Sequence, residues 1–162
     1  MLTRLVIKNL KRLDRADIEL GRAVVFVGPN NSGKTTALQA LALRDLGLKA
    51  WVSKKGSRRG ARERTGVTLN RRDLIALPVP DANLLWLDRH VRHVQKENGK
   101  QRTQNIMIRI TVAGVLNGQP WELGFEFDYA NPESVYCRPI DDLTDAVLET
   151  LTRVAGSVRV AF

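Results

Sequence analysis

Apolar and polar positions alternate over residues 2–9 around Leu5 and Ile7, the period-two signature of a half-buried strand. A second short strand is predicted at residues 16–20, ended by Gly21. Residues 23–27 (Ala-Val-Val-Phe-Val) carry no polar alternation and read as a buried parallel strand. Residues 35–46 change to helical spacing, with Leu38, Leu41, Ala42 and Leu46 on one side and Gly47 placed to end the helix. Further on, DANLLWLDRHVRHVQ (81–95) reads as a helix capped by Asp81 or Asn83, with a stripe of Leu84, Leu87 and Val91. Residues 105–138 read as β: Ile106, Ile108, Ile110 and Val112 alternate with polar neighbours, as do Trp121, Leu123, Phe125 and Phe127. Asn117-Gly118 between the two runs predicts a type I′ hairpin, and SVYCR a third strand. A helix is predicted at 141–154, with Leu143, Val147, Leu148, Leu151 and Val154 on its apolar side, and a last strand in SVRVAF.

The chemistry is concentrated between the third predicted strand and the first helix. Gly28-Pro29-Asn30-Asn31-Ser32-Gly33-Lys34-Thr35 has the spacing of a phosphate-binding P-loop. Gly28 and Gly33 let the backbone turn close to phosphate oxygens, and the intervening N–H groups form an anion nest. The start of the helix adds its positive end. Lys34 is the candidate contact to the β- and γ-phosphates, Thr35 the ligand of Mg²⁺, and Thr36 a contact to the α-phosphate. The cofactors predicted are therefore ATP and Mg²⁺.

Length predicts one domain, residues 1–162, and no apolar run approaches the roughly 18 residues of a membrane helix. The opening MLTRLVIKNL lacks the features of a signal peptide, and the single cysteine, Cys137, forbids an internal disulfide; both predict a cytoplasmic chain. The formal net charge of +9 is uneven. Residues 54–102 hold thirteen Lys/Arg against five Asp/Glu, and the rest of the chain thirteen against twelve. Within that segment, residues 53–66 predict a mobile basic loop. Lys54, Lys55, Arg58, Arg59, Arg62 and Arg64 are its candidate contacts to a nucleic-acid backbone.

A P-loop ATPase also needs an acidic residue at the end of an apolar strand. LLWLDR offers Asp88, 54 residues after Lys34, but Arg89 stands where a water-polarising Glu would follow, and the run reads as helix. Asp128 in FEFDY fits a half-exposed hairpin instead. His90 and His93 lie three apart without a third metal ligand nearby, and Cys137 has no partner to activate it.

The order of elements, with IKNLKRL ahead of VVFVGPNNSGKTT, resembles the N-terminal lobe of ABC-type ATPase heads of the SMC, RecF and OLD groups. The hairpin NIMIRITVAGVLNGQPWELGFEFDY is similar to their antiparallel β-subdomain. The resemblance implies an α/β P-loop NTPase lobe that lacks the signature helix and the Walker B strand. This chain would then be the N-terminal fragment of a longer ATPase of DNA repair, chromosome maintenance or phage defence. It further implies that Lys11, with Arg12 second, stands where those heads place a basic residue near the nucleotide. The remainder of the head would be a partner, as would a second head in a dimer. Two other readings are open: a complete small P-loop kinase or NTPase with Asp88 on Mg²⁺, and a non-enzymatic nucleic-acid-binding module. A GTPase would need an Asn-Lys-x-Asp motif, which the sequence lacks.

Overall fold

The computed structural model describes residues 1–55, 66–74, 77–97, 100–141 and 144–157. Its strands are β1 (Leu2–Leu10), β2 (Leu13–Glu19), β3 (Val67–Asn70), β4 (Arg92–Glu97), β5 (Lys100–Asn105), β6 (Ile108–Leu116), β7 (Gln119–Asn131) and β8 (Ser134–Pro139). The helices are α1 (Lys34–Lys55) and α2 (Asp145–Ser157). Six strands form one sheet in the order β2-β1-β6-β7-β8-β3, and β4 and β5 form a separate two-stranded ribbon. Every pairing among the described residues is antiparallel.

Register explains why the sheet has one apolar face. Leu5 lies opposite Val112 and Ile7 opposite Ile110, while Ile110 and Val112 face Phe125 and Leu123 across the next ladder. Phe127 faces Cys137, which in turn faces Val67. All of these are buried, and α1 packs on them through Ala40, Leu43, Leu48 and Trp51. The opposite face is polar. There Arg4 and Asp17 form a fork, with Nε and Nη2 donating to the two carboxylate oxygens at 2.8 and 2.6 Å. The hairpin forms at Asn117-Gly118, whose φ values of 52° and 76° are those of a type I′ turn.

Three expectations are corrected. Residues 23–27 form no strand and join no sheet among the described residues, with a bend at Ala23; Phe26 packs against the core, whereas Val25 and Val27 are 82% and 89% exposed. The parallel strand read from their composition needs neighbouring strands, and the described residues supply none. The first helix does not end at Gly47 but continues to Lys55. Gly47 is there for contact: a Cβ would lie 3.1 Å from Phe127 Cε1 and Cζ. The buried stripe is accordingly Ala40, Leu43, Gly47 and Trp51 rather than the one through Leu38, which is exposed. Finally, residues 81–95 are not an α-helix. Two 3-10 turns, Ala82–Leu85 and Leu87–Arg89, lead into β4. Asp81 does cap the first, its Oδ1 accepting from the Asn83 N–H at 2.9 Å. The predicted strands at 2–9 and 16–20 and the three at 105–138 are present within a few residues, and the last helix runs from Asp145 to Ser157. Leu143, most of SVRVAF, and Arg58, Arg59, Arg62 and Arg64 lie outside the described residues.

One buried charge is only partly compensated. Arg44 is 2% exposed, with its guanidinium 5.4 Å from the Trp121 ring centroid. Among the described residues no acceptor reaches its Nε or Nη2. Burial pushes its pKa down to about 10, with neighbouring Asp45 opposing the shift. A buried ion without full pairing costs more than a well-packed apolar side chain of similar volume. Arg44→Met is therefore expected to raise the unfolding free energy by about 1–2 kcal/mol, read by urea denaturation. A loss of stability would show that the guanidinium contributes more than it costs.

Candidate functional site

Three parts of the chain converge at the start of α1. The first is the P-loop itself. Asn31 (φ 66°) and Gly33 (φ 94°) adopt left-handed conformations, and a Cβ on Gly33 would meet Leu13 Cδ2 at 2.8 Å. The Lys34 ammonium lies inside the loop and donates to the carbonyls of Gly28 at 2.6 Å and Pro29 at 2.7 Å, with Ser32 Oγ at 3.4 Å. The first helical bond on this side is Ala37 N–H to Gly33 O, 2.9 Å. Helix geometry thus leaves the amides of Lys34, Thr35 and Thr36 without acceptors inside α1. Thr35 is exposed, Thr36 is buried, and no acidic residue stands in the first turn.

The second part is the turn between β1 and β2. Lys11 has φ 50°, its N–H donates to Leu85 O, and its Nζ donates to Gln39 Oε1 on α1, both at 2.8 Å. Burial lowers the Lys11 pKa. The third part is the segment before β4. It is fastened by an isolated bridge between Leu10 and Trp86 and by the Trp86 indole N–H, which donates to Ile106 O at 2.6 Å. Trp86 also meets Tyr129 edge to face at 5.8 Å. Beyond this anchor Asp88 (φ 49°) and Arg89 (φ 61°) are two successive left-handed residues, and both are exposed. Such a backbone is costly for residues other than glycine and persists only when the surroundings hold it.

Together these parts enclose a cleft of about 1090 Å³, lined by Asn30 to Thr36 and also by Lys11, Arg12, Gln39, Asp88 and Arg89. Four cations (Lys11, Arg12, Lys34 and Arg89) face one carboxylate, Asp88. Outward amides, a helix N-terminus and a cationic wall fit the phosphates of a nucleotide. The exposed Thr35 hydroxyl at that wall fits a ligand of their Mg²⁺. The structure brings the predicted loop and Lys11 to one cleft. Gly28 and Pro29 stand behind it, holding Lys34 through their carbonyls.

The sequence reads Asp88 within a helical run, with Mg²⁺ ligation only in the alternative of a self-sufficient NTPase, and gives Arg89 no binding role. Pro78 and Pro80 in LPVP were a signal that the run ahead was irregular. Of the predicted basic loop, Lys54 is described donating to Thr68 O at 3.0 Å, so its ammonium ties α1 to β3. Lys55 is the last residue of α1. Burial pushes the Cys137 thiol up to about 12, against a small opposing effect of Lys54, so it is an inert core residue. Among the described residues there is no cluster of three metal-ligating side chains of the His/Cys/Asp/Glu type, and no helix is long and apolar enough to cross a membrane.

This loop, helix and cationic cleft define a nucleotide-binding ATPase domain, and the chain belongs to the AAA ATPase domain family, whose model matches residues 1–112. Among curated proteins it is similar to the OLD nuclease of Thermus scotoductus, 49% identical over 43 residues. That match covers 26% of this chain and 8% of the relative, so the chain spans only a small part of that protein's length.

Proposed function

We propose that this chain is the ATP–Mg²⁺-binding lobe of an ABC-type ATPase head in nucleic-acid maintenance or defence, with the catalytic acid and the signature helix supplied by further polypeptide. The observation that carries the reading is the Lys34 ammonium seated among the loop carbonyls, at the helix end, in a cleft walled by Lys11, Arg12 and Arg89. When ATP enters, the Lys34 ammonium turns from the Gly28 and Pro29 carbonyls to the β- and γ-phosphates. The amides of Lys34, Thr35 and Thr36 would donate to phosphate oxygens, and the Thr35 hydroxyl would hold the metal. Mg²⁺ would supply neutralisation of the phosphate charge. Lys11 and Arg12 bring positive charge to the same anion from the β1–β2 turn. The similarity to an OLD nuclease favours a role beside DNA, and the basic segment around Arg58, Arg59 and Arg62 is a candidate arm for it. Two such heads would sandwich nucleotide in the parent protein, and hydrolysis would reopen them.

The test is turnover by the purified chain. It is expected to bind ATP and hydrolyse almost none. Robust hydrolysis that disappears in Lys34→Ala would overturn the incomplete-head reading.

One observation favours a second reading, that of a self-sufficient NTPase. Asp88 lines the same cleft as Thr35, in a strained backbone that presents it to the site. On that reading Asp88→Asn abolishes hydrolysis at unchanged stability. On the first reading Asp88→Asn changes no turnover, because there is almost none to change, and weakens or strengthens ATP binding less than about threefold, since a single exposed charge is screened.

A further inference from the structure

The polar face of the main sheet carries a line of charge that no local stretch of sequence reveals. Ladder register sets Arg15 opposite Lys8, Lys8 opposite Arg109, Arg109 opposite Glu126, and Glu126 opposite Arg138. Five strands thus place four cations and one carboxylate in a single row. At about 4.8 Å per strand the row is about 19 Å long. Glu126 accepts from Arg109 Nε at 3.2 Å and Arg138 Nε at 2.7 Å, which leaves the Nη groups of both arginines for another anion. Lys8, by contrast, stands between two cations. Like charges directly opposite destabilise a sheet, and among the described residues Lys8 has no ion pair to offset this.

The ribbon β4–β5 meets this row. Arg102, Asn105, Arg109, Glu126 and Arg138 line one surface hollow of about 590 Å³. The described ribbon side chains, Arg92, His93, Val94 and residues 102–105, are all exposed, so none of these is held by packing in a core. Its sequence, RHVQKE and KQRTQN, is rich in the Arg, Lys, Gln, Asn and Thr that contact phosphates and base edges.

We propose that this face binds duplex DNA. The phosphate backbone lies along the row from Arg15 to Arg138, and the ribbon, carrying Arg102, reaches into the adjacent groove. A row of about 19 Å follows roughly half a helical turn of B-DNA. A major groove about 12 Å wide admits a two-stranded ribbon. A duplex is favoured over a single strand because single-strand binding draws on several stacking aromatics. Among the described residues of this face only Tyr136 is an exposed aromatic. The nucleic-acid reading above supplies the choice of partner, but neither the P-loop nor the basic loop takes part in the contact.

The experiment is fluorescence anisotropy of the whole chain with a labelled duplex of about 20 base pairs, between about 50 and 200 mM salt. Thermal melting of each variant is recorded alongside. Lys8→Glu should weaken DNA binding about tenfold near 0.1 M salt, Arg102→Glu likewise, and the pair about a hundredfold, with a shallower salt slope. Lys8→Glu should also raise the melting temperature, since it places a carboxylate between Arg15 and Arg109; a merely structural lysine would lower it. Lys34→Ala should bind DNA as the parent chain does, so failure of the nucleotide reading leaves this result intact. Unchanged binding by the double variant overturns the proposal. So does loss of binding only on reversing Arg58, Arg59 and Arg62, or tighter binding of a single strand of the same length.

Discussion

Lys34→Ala is expected to weaken ATP–Mg²⁺ binding by about a hundredfold, which corresponds to roughly 2.7 kcal/mol. The magnitude follows from what the ammonium does in each state. Without nucleotide it spans the loop, held by the Gly28 and Pro29 carbonyls at 2.6 and 2.7 Å. With nucleotide it exchanges those for charge-assisted bonds to phosphate, each worth about 1.5–3 kcal/mol. The other cleft cations do not replace it. Lys11 is committed to Gln39 and half-buried, and Arg12 and Arg89 line the cleft from other segments than the loop. Stability should fall by no more than about 1 kcal/mol, because the lysine bonds loop carbonyls that water can also reach. Isothermal titration with ATP and Mg²⁺, beside a urea melt, separates the two effects. An affinity within threefold of the parent chain would mean that the loop does not hold triphosphate through Lys34. Gly33→Ala should be as damaging for a different reason. Its φ of 94° is strained for alanine and its Cβ would lie 2.8 Å from Leu13 Cδ2, so the loop must shift and the Leu13 side chain give way.

The parts of this molecule that were legible in sequence are those whose cause is local. The P-loop is a matter of glycine, lysine and threonine at fixed spacing. The β6–β7 hairpin follows from Asn117-Gly118 between alternating runs, and the apolar face of the sheet from period-two alternation in β1, β6 and β7. What was illegible has causes distant along the chain. Gly47 looks like a helix end by composition, and only Phe125 and Phe127, some eighty residues later, explain it as a point of close packing. Residues 92–97 alternate too little in hydrophobicity to announce a strand, in keeping with the exposure of Arg92, His93 and Val94. Asp88 and Arg89 reach the nucleotide cleft only because Leu10 and Lys11 pin the segment ahead of them. The row from Arg15 to Arg138 exists only in the register of five strands. In each case the residue type was visible and its neighbour was not.

Charging the valines ahead of the P-loop gives the second large effect, and it depends on what surrounds them. Residues 23–27 belong to no strand, with Phe26 packed against the core and Val25 and Val27 left to solvent. Two β-branched side chains more than four-fifths exposed, beside backbone groups in no ladder, are open to pairing with an added strand. If further polypeptide completes the head, as proposed above, the natural occupant is a strand of that polypeptide laid against this segment. Val25→Lys with Val27→Lys should then change the unfolding free energy of the present chain by less than about 0.5 kcal/mol, as for exposed positions generally. In a longer polypeptide with the strand in place, the same pair should cost more than about 4 kcal/mol. Two valine side chains would lose roughly 1.5–3 kcal/mol of burial each, and two ammonium groups would have to leave water. Urea denaturation of both forms reads the difference directly. Equal, small effects in the two would show that the segment remains uncovered and that the P-loop works without strand neighbours. A large loss already in the present chain would show that Val25 and Val27 are packed against something of its own. The predicted asymmetry, neutral in one form and severe in the other, is the signature of a strand whose partners come from elsewhere in the polypeptide.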